Sequence, residues 1–273
     1  MKQFLTDLIA EAGRISLEYR DRLGDLKISR KTPKDLVTEA DVAVEKYIVA
    51  KIKEAYPQHS IFGEESGQHS GNEYRWIIDP IDGTTSFVHH QPFYAVSIAL
   101  EEAGELILAA VNAPVLGELF EAQKGKGATL NGKEIHVSES ESLPESVLAT
   151  GFACLRSDLS HNNLPYFNRI APVVRGIRRF GSAAIDMCYV AAGRMDGFWE
   201  LNLKIYDVAA GILILNEAGG RVTDFSDQPI KDCFEIVATN NHIHKELTTI
   251  LSDVIPLKAK KCPRINPYLI IFK

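Results

Sequence analysis

The sequence predicts an α/β protein (α+β layered) whose helices and sheets alternate, with a mostly antiparallel first sheet. Apolar residues at helical spacing occupy the N-terminus and the segment 38–55. Short apolar runs separated by turn residues follow between positions 94 and 135, which is typical of neighbouring strands. Beyond position 146, strand-like and helix-like segments alternate, and this alternation favours a second α/β layer set.

Two helices are predicted near the start of the chain. The first has its apolar face at Phe4, Leu5, Leu8, Ile9, Ala12 and Ile15. Asp7, Glu11 and Arg14 interrupt the apolar pattern, so the segment is not the core of a signal peptide. The second helix runs from Thr38 to Ala55, and Pro57 lies beyond its end.

The first sheet is predicted from a series of short segments. Trp76 to Ile78 is typical of a buried strand, and apolar runs follow at 94–100 and 106–112. The pair Asn131-Gly132 between strand-like flanks predicts a two-residue hairpin. The two helices are available to cover one face of this sheet.

The polar stretch "SESESLPES" at 138–146 is the best candidate for an internal boundary, and a surface loop is an equally good interpretation. We divide the chain into an N-terminal α+β half (1–145), a C-terminal α/β half (146–257) and a tail (258–273). The tail combines a basic run with an apolar "YLIIF". A terminal strand or frayed extension explains it better than a partner contact, and no role is assigned to it.

Charge and cysteine content exclude several classes of function. The chain has 30 basic and 36 acidic residues, so a general nucleic-acid binder, which needs a basic surface, is not expected. The four cysteines are widely spaced and form no C-x-x-C pair, which indicates reduced thiols and a cytoplasmic protein rather than a zinc ribbon. No run of about 18 apolar residues occurs, so no membrane span is expected.

The stretch "WIIDPIDGTTSF" at 76–87 ends a core strand in two carboxylates, Asp79 and Asp82. A polar turn would explain these residue types. Alternatively, Pro80 ends the strand, and the two acids with the carbonyl between them present oxygen ligands to a hard cation such as Mg²⁺. Gly83 permits close approach of the backbone to a ligand, and Thr84 and Thr85 supply hydroxyls and N–H groups of the kind that hold phosphate.

Two further acidic sites follow strand-like segments. Glu64 and Glu65 occur in "FGEES", and Asp207 begins a helix behind a strand that ends in Glu200. Taken singly, Asp207 is more typical of a helix N-cap, and the glutamates are more typical of an exposed acidic loop.

Together these segments resemble the inositol monophosphatase family of Mg²⁺-dependent, lithium-sensitive phosphatases. The motifs "GEES", "WIIDPIDGTTSF" and "WELNLKIYDVAAGILILNEAGG" match the family signatures in order, and "DLVTEAD" (35–41) and "GSAAIDM" (181–187) match two further segments. The resemblance covers about residues 5 to 255. It implies an alternating αβαβα sandwich of the sugar-phosphatase type, in which the C-terminal half completes a metal site begun in the N-terminal half.

The resemblance also implies roles for individual residues. The metal ligands would be Glu64, Asp79, Asp82, Asp207 and the carbonyl of Ile81, with Asp79 bridging two ions. Thr84, hydrogen-bonded to Asp41 and acting with Glu64, would position the attacking water. Gly83 and Thr84 would offer N–H groups to phosphate, and Glu65 would support the ligands or help to hold a weaker third ion. Asp41 has a second interpretation, because "TEAD" with Thr38 as N-cap fits a capping box.

The substrate implied is a small phosphorylated polyol or sugar. Ser182, Ala183 and Glu200 match positions that contact its hydroxyl-bearing body. The chain departs from the family pattern at Ser86 (usually Asn), Tyr206 (often Trp) and Lys204 (His in some members). None of these three positions is a metal ligand, so they bear on substrate fit.

The expected reaction is Mg²⁺-dependent hydrolysis of myo-inositol monophosphate by a metal-activated water, without a phospho-enzyme. Fructose-1,6-bisphosphatase, bisphosphate nucleotidase and histidinol-phosphatase activities of the same superfamily are alternatives, although Thr85 fits the inositol type better than the histidinol type. A non-catalytic regulatory partner protein is an alternative from a different class. Family relatives are usually dimers, so a homodimer is expected.

Overall fold

The computed structural model describes residues 1–26, 28–32, 35–230 and 234–254. The α-helices are α1 (Lys2–Asp21), α2 (Glu39–Ala55), α3 (Thr84–Val88), α4 (Ala153–Arg156), α5 (Leu164–Ile170), α6 (Ala183–Ala191), α7 (Ile205–Glu217) and α8 (His244–Ser252). The strands are β1 (Ile28–Thr32), β2 (Asp35–Thr38), β3 (Ser60–Gly63), β4 (Gly67–His69), β5 (Tyr74–Asp82), β6 (Ala95–Glu102), β7 (Glu105–Ala113), β8 (Glu118–Gln123), β9 (Ala128–Leu130), β10 (Lys133–Ile135), β11 (Val147–Thr150), β12 (Gly176–Arg178), β13 (Gly197–Leu201), β14 (Arg221–Thr223) and β15 (Glu235–Thr239). Short 3₁₀ turns lie at Leu23–Asp25 and Leu143–Glu145.

The first large sheet has eight strands in the order β10-β9-β8-β7-β6-β5-β3-β4. All its neighbouring strands are antiparallel except β3 and β5, which run parallel. The predicted hairpin at Asn131-Gly132 joins β9 to β10, and both residues have positive φ, 49° and 76°. The mostly antiparallel first sheet and this turn are confirmed.

The second large sheet has five strands in the order β12-β11-β13-β15-β14. Strand β11 is parallel to β12 and β13, whereas β15 is antiparallel to both of its neighbours. A separate two-stranded hairpin, β1-β2, precedes α2.

The helices alternate with the sheets as αβαβα. Helices α1 and α2 pack on the outer face of the first sheet, α6 and α7 contact strands of both sheets, and α5 and α8 share an apolar cluster with the far face of the second. The apolar core between the sheets draws on both halves of the chain, for example Phe120 and Ile214. The layered fold predicted from the sequence is therefore confirmed.

The predicted helices near the N-terminus form as expected. The first is α1, whose buried residues include Leu5, Leu8 and Ile9. The second is α2, which begins directly after Thr38, because the Thr38 hydroxyl accepts a hydrogen bond from the Ala40 N–H at 3.1 Å.

The last strand of the eight-stranded sheet ends at Ile135, and the first strand of the five-stranded sheet begins at Val147. The segment between them contains the polar stretch at 138–146. The division into domains at 145 stays a prediction, as do the halves 1–145 and 146–257. The tail at 258–273 lies outside the described residues. No helix in the described part of the chain is both long and apolar enough to cross a membrane.

A buried histidine joins the start of α8 to the second sheet through hydrogen bonds. The His244 ring is 1% exposed, with Nδ1 at 2.8 Å from the Thr239 hydroxyl and Nε2 at 2.9 Å from the Thr223 hydroxyl. Burial, followed by the positive charge of Arg221, lowers the pKa of His244 to about 4. The folded protein therefore holds this ring neutral.

We predict that this histidine makes the folded protein less stable as the pH is lowered. A lowered histidine pKa stabilises the fold above the unfolded-state value of about 6.5, and this stabilisation is lost as the pH falls toward the folded value. Between about pH 7.5 and pH 5 the loss should be roughly 1–2 kcal/mol. Denaturant unfolding of wild type and His244→Asn at both pH values measures it. The variant should lack this part of the pH dependence, and identical pH profiles would contradict the assignment.

Candidate active site

Strand β5 ends in two buried carboxylates because its pairing with β6 becomes irregular between Asp79 and Asp82. Pro80 lies in this irregularity, where no ladder hydrogen bond is needed. Asp79 and Asp82 are 1% and 8% exposed. The Asp79 carboxylate accepts a hydrogen bond from the Ile81 N–H at 3.0 Å, which fixes the turn.

A third carboxylate reaches this turn from α7. Asp207 lies in the first turn of the helix, and its carboxylate accepts a hydrogen bond from the Lys204 N–H. One carboxylate oxygen from each of Asp79, Asp82 and Asp207 lies within 4.8 Å of the other two. Helix α7 packs between the sheets and contacts β5, and this contact brings residues 79 and 207 together.

Burial and mutual repulsion raise the pKa of these acids. The pKa of Asp79 lies well above its usual value because of burial first, and then because of Glu64, Asp82 and Asp207. Burial followed by Asp82 does the same to Asp207. The pKa of Asp82 is also raised by burial, although hydrogen bonds from Ser182 and Ala184 oppose the shift. A cluster of oxygen ligands that repel one another fits a hard divalent cation.

Glu64 faces the same cavity from the end of β3. Its backbone N–H donates to the Ile78 carbonyl at 3.2 Å, so the loop after β3 is tied to β5. The adjacent Glu65 is half-buried.

Thr84 begins α3 beside the acidic cluster. Its hydroxyl lies 3.3 Å from the Asp41 carboxylate and 3.2 Å from the Ile81 carbonyl. The other Asp41 oxygen accepts hydrogen bonds from the Thr38 N–H at 2.8 Å and the Thr38 hydroxyl at 2.6 Å. Asp41 therefore closes the capping box of α2 and also contacts Thr84, while its part in positioning the attacking water stays a prediction. Burial raises the pKa of Asp41 to about 6, although the bonds from Thr38 oppose the shift.

Gly83 precedes α3 in a conformation that favours glycine. Its φ is 96°, and a Cβ here would lie 2.9 Å from the Phe93 carbonyl oxygen. The first N–H groups of a helix lack partners within the helix, so this turn can present donors to an anion.

These residues surround a small polar cavity of about 140 Å³. Its lining residues are Glu64, Asp79, Ile81, Asp82, Gly83, Thr84, Ala153, Arg156, Ser157, Gly181, Asn202, Lys204, Tyr206 and Asp207. Acidic groups from three separate stretches of the sequence thus share one space with two basic side chains.

The sequence profile of the inositol monophosphatase family matches residues 1–255. The chain belongs to this family. It is 42% identical to "Nus factor SuhB" of Pseudomonas aeruginosa over 92% of this chain and 95% of that protein. It is 38% identical to "Inositol-1-monophosphatase" of Rhizobium meliloti over 93% of this chain and 97% of the relative. The solved inositol monophosphatase from Anabaena (Nostoc) sp. PCC 7120 superposes with a TM-score of 0.84 at 38% identity, covering 94% and 96% of the two chains.

The resemblance to the inositol monophosphatase family predicts that Ser182, Ala183 and Glu200 contact substrate. In the structure, the Ser182 hydroxyl donates to Asp82 at 2.7 Å, and the Glu200 carboxylate accepts from the Ala153 N–H at 2.9 Å. Burial raises the pKa of Glu200 to about 7. Among the described residues, the cavity lining includes Gly181 and Ala153 but none of these three. Their contact with substrate stays a prediction.

One residue that positions the Glu64 loop is not predicted by any sequence pattern described above. Glu45 of α2 is 2% exposed, and its carboxylate accepts hydrogen bonds from the backbone N–H groups of Glu65 at 2.9 Å and Ser66 at 2.6 Å. A Cβ at Gly63 would lie 2.6 Å from this carboxyl group, so glycine makes room for it. An acid on the apolar face of α2, one turn from Asp41, was the available signal.

We predict that Glu45→Gln loosens the Glu64 loop. The amide retains only one acceptor oxygen, so one part-buried N–H loses its partner at a cost of about 1 kcal/mol. Thermal unfolding should show a lower Tm, and the affinity for a divalent cation should fall with it. Glu54→Gln is the matched control, because Glu54 lies on the same helix with its side chain 71% exposed. Equal behaviour of the two variants would contradict a positioning role for Glu45.

We predict that Asp79→Asn stabilises the metal-free protein near neutral pH, because it removes a carboxylate that its acidic neighbours repel and keeps an acceptor for the Ile81 N–H. A raised carboxyl pKa means that the metal-free folded state binds protons more tightly than the unfolded state. Its stability should therefore fall as the pH rises through the shifted value, and Asp79→Asn should reduce this fall. Chemical denaturation in chelator from about pH 5 to pH 8 measures both effects. A variant less stable than wild type throughout would show that repulsion is not dominant.

Proposed function

We propose that this protein hydrolyses small phosphate monoesters with Mg²⁺, and that myo-inositol monophosphate is the first substrate to test. The observation that carries the proposal is the convergence of three carboxylates, two buried and one half-buried, within 4.8 Å of one another in a polar cavity that also contains Thr84. Membership of the inositol monophosphatase family and a relative named inositol-1-monophosphatase support it.

The residues that would hold Mg²⁺ are Glu64, Asp79, Asp82, Asp207 and the carbonyl of Ile81, all of which line the cavity. Their oxygen atoms match the ligand preference of Mg²⁺, and their mutual repulsion favours cation binding. Bound ions would supply Lewis-acid stabilisation to the charge of a phosphate group. Glu65 is assigned a supporting role or a part in a weaker third site.

The chain's own groups would orient the reactants. The Thr84 hydroxyl can direct its proton to Asp41 or to the Ile81 carbonyl, which leaves its oxygen lone pairs to accept a hydrogen bond from the attacking water. Together with Glu64, which also lines the cavity, this arrangement would hold the water for attack on phosphorus without a covalent enzyme intermediate. The N–H groups of Gly83 and Thr84 would orient the phosphate oxygens.

We predict Mg²⁺-dependent phosphate release from myo-inositol 1-phosphate. Thr84→Val should lower kcat by about 10²–10⁴-fold because the hydroxyl that positions the water is lost, whereas Thr84→Ser should retain most of the activity. Steady-state assays compare both variants with wild type. The same assays on fructose 1,6-bisphosphate, a nucleoside bisphosphate and histidinol phosphate rank the alternative substrates. Equal rates for the two variants would remove Thr84 from the mechanism, and no Mg²⁺-dependent turnover of any ester would overturn the proposed function.

A role as a Nus factor is a second candidate function, favoured by the name of the Pseudomonas aeruginosa relative. This role would need no turnover, so a protein inactive on every ester in the panel would favour it. Lithium inhibition, a homodimeric state and a cytoplasmic location remain predictions from the sequence.

A further inference from the structure

Part of the cavity lining has no task in metal or phosphate binding under the proposed function. We use the term α4 wall for three of these residues, Ala153 and Arg156 of α4 and Ser157 directly after it. Asn202, which also lines the cavity, donates a side-chain hydrogen bond to the Ser157 hydroxyl at 3.0 Å. Because the metal ions and the reacting phosphate are assigned to the acids and to the turn at 83–84, the α4 wall is available to the rest of the ester.

A buried asparagine holds the chain segment that leads into the α4 wall. Asn163 is fully buried, and it stands outside the cavity lining that the described residues form. Its amide nitrogen donates to the Thr150 hydroxyl at 2.7 Å and to the Gly151 carbonyl at 2.6 Å, and its side-chain oxygen accepts from the Trp199 indole N–H at 2.7 Å. The Thr150 hydroxyl donates in turn to the Trp199 carbonyl at 2.6 Å. These bonds join the end of β11 and the residue after it to β13.

The partners of Asn163 permit only one orientation of its amide. If the amide oxygen and nitrogen exchanged places, the oxygen would face the Gly151 carbonyl and the nitrogen would face the Trp199 N–H, and both hydrogen bonds would be lost. Asn163 is the N-cap of α5, a position at which asparagine usually bonds to its own helix. Within the described residues its side chain makes no such cap bond. The side chain therefore serves the segment between β11 and α4.

The same segment is also held by Glu200 of β13. The Glu200 carboxylate accepts a hydrogen bond from the Ala153 N–H at 2.9 Å. A Cβ on Gly151 would overlap this carboxyl group, so glycine leaves room for the contact. The Ser157 N–H then donates to the Ala153 carbonyl at 3.2 Å, which carries the constraint along α4. The position of the α4 wall therefore depends on the bonds made by Asn163 and Glu200.

We propose that Asn163 is a positioning residue for substrate binding, which acts through the α4 wall on the part of the ester outside the reacting phosphate. This inference rests on the proposed function and extends it to a residue that touches no substrate. Loss of contacts made equally to substrate and transition state raises KM and leaves kcat unchanged. Partial unfolding instead lowers the amount of active enzyme, and hence the apparent kcat, at constant KM. These two effects separate a positioning role from a merely structural one.

The test compares Asn163→Ala with wild type at saturating Mg²⁺, on the ester of the panel above that wild type hydrolyses best. Because the variant loses the three side-chain hydrogen bonds, KM should rise by about tenfold, while kcat per folded molecule should stay within about twofold. Inorganic phosphate is the second probe, because it lacks the alcohol part of the ester. Its inhibition constant should be the same for both proteins.

Leu251→Ala is the control, because it removes apolar packing from the buried cluster that contains Trp199 and leaves the hydrogen bonds of Asn163 in place. It should lower Tm and leave KM unchanged. Thr150→Val keeps the shape of the side chain, removes one of the bonds to Asn163, and provides the test if Asn163→Ala does not fold. Its KM should rise by about threefold.

Three results would overturn the positioning role of Asn163. These are an unchanged KM in Asn163→Ala and Thr150→Val, the same rise of KM in Leu251→Ala, and an inhibition constant for phosphate that rises together with KM. The last result would place the α4 wall on the reacting phosphate. Each of them leaves the proposed function intact, because wild type still hydrolyses the ester. No turnover of any ester by wild type overturns both proposals.

Discussion

Repulsion among buried carboxylates is the constraint on which the candidate site depends. Two unit charges about 4 Å apart cost roughly 4 kcal/mol at an effective dielectric near 20, which is large beside a net stability of about 5–15 kcal/mol. Backbone hydrogen bonds offset part of this repulsion, because the N–H groups of Ile81, Ala184 and Lys204 each donate to one of the three aspartates. Protonation of the acids relieves another part, and a divalent cation would relieve more.

The layered architecture explains how these acids meet. Helix α7 lies between the two sheets and brings Asp207 to the end of β5, while Asp82 accepts hydrogen bonds from the first residues of α6. The site therefore joins elements from both halves of the chain. A change at Asp82 affects the start of a core helix as well as the charge of the cluster. For this reason Asp79, whose carboxylate accepts a hydrogen bond from its own turn, is the better position at which to separate charge from structure.

The surroundings of the acidic cluster are arranged by residues that touch no part of the cavity. Glu45 holds the loop after β3, and Asn163 holds the segment that carries Arg156. Both are almost fully buried polar side chains whose hydrogen bonds go largely to backbone groups. Buried polar groups of this kind are costly unless they are satisfied, so each one fixes the loop it contacts in a single conformation.

The sequence by itself determined the layered fold, the two N-terminal helices and the hairpin at Asn131-Gly132, because these depend on periodicity and turn chemistry within short windows. It also indicated Asp79 and Asp82, because ligand types directly after a strand form a local pattern. Asp207 was assigned only through the resemblance to the family, since taken singly it is typical of a helix N-cap. Only the tertiary structure decided what each side chain faces. The Ser182 hydroxyl donates a hydrogen bond to Asp82, and the Glu200 carboxylate accepts one from the Ala153 N–H. Arg156 lines the cavity from a short helix that no periodic pattern in the sequence predicts. The physical reason is that a side chain's partner across the fold is set by how helices and sheets pack, and this packing is not encoded in the spacing of neighbouring residues.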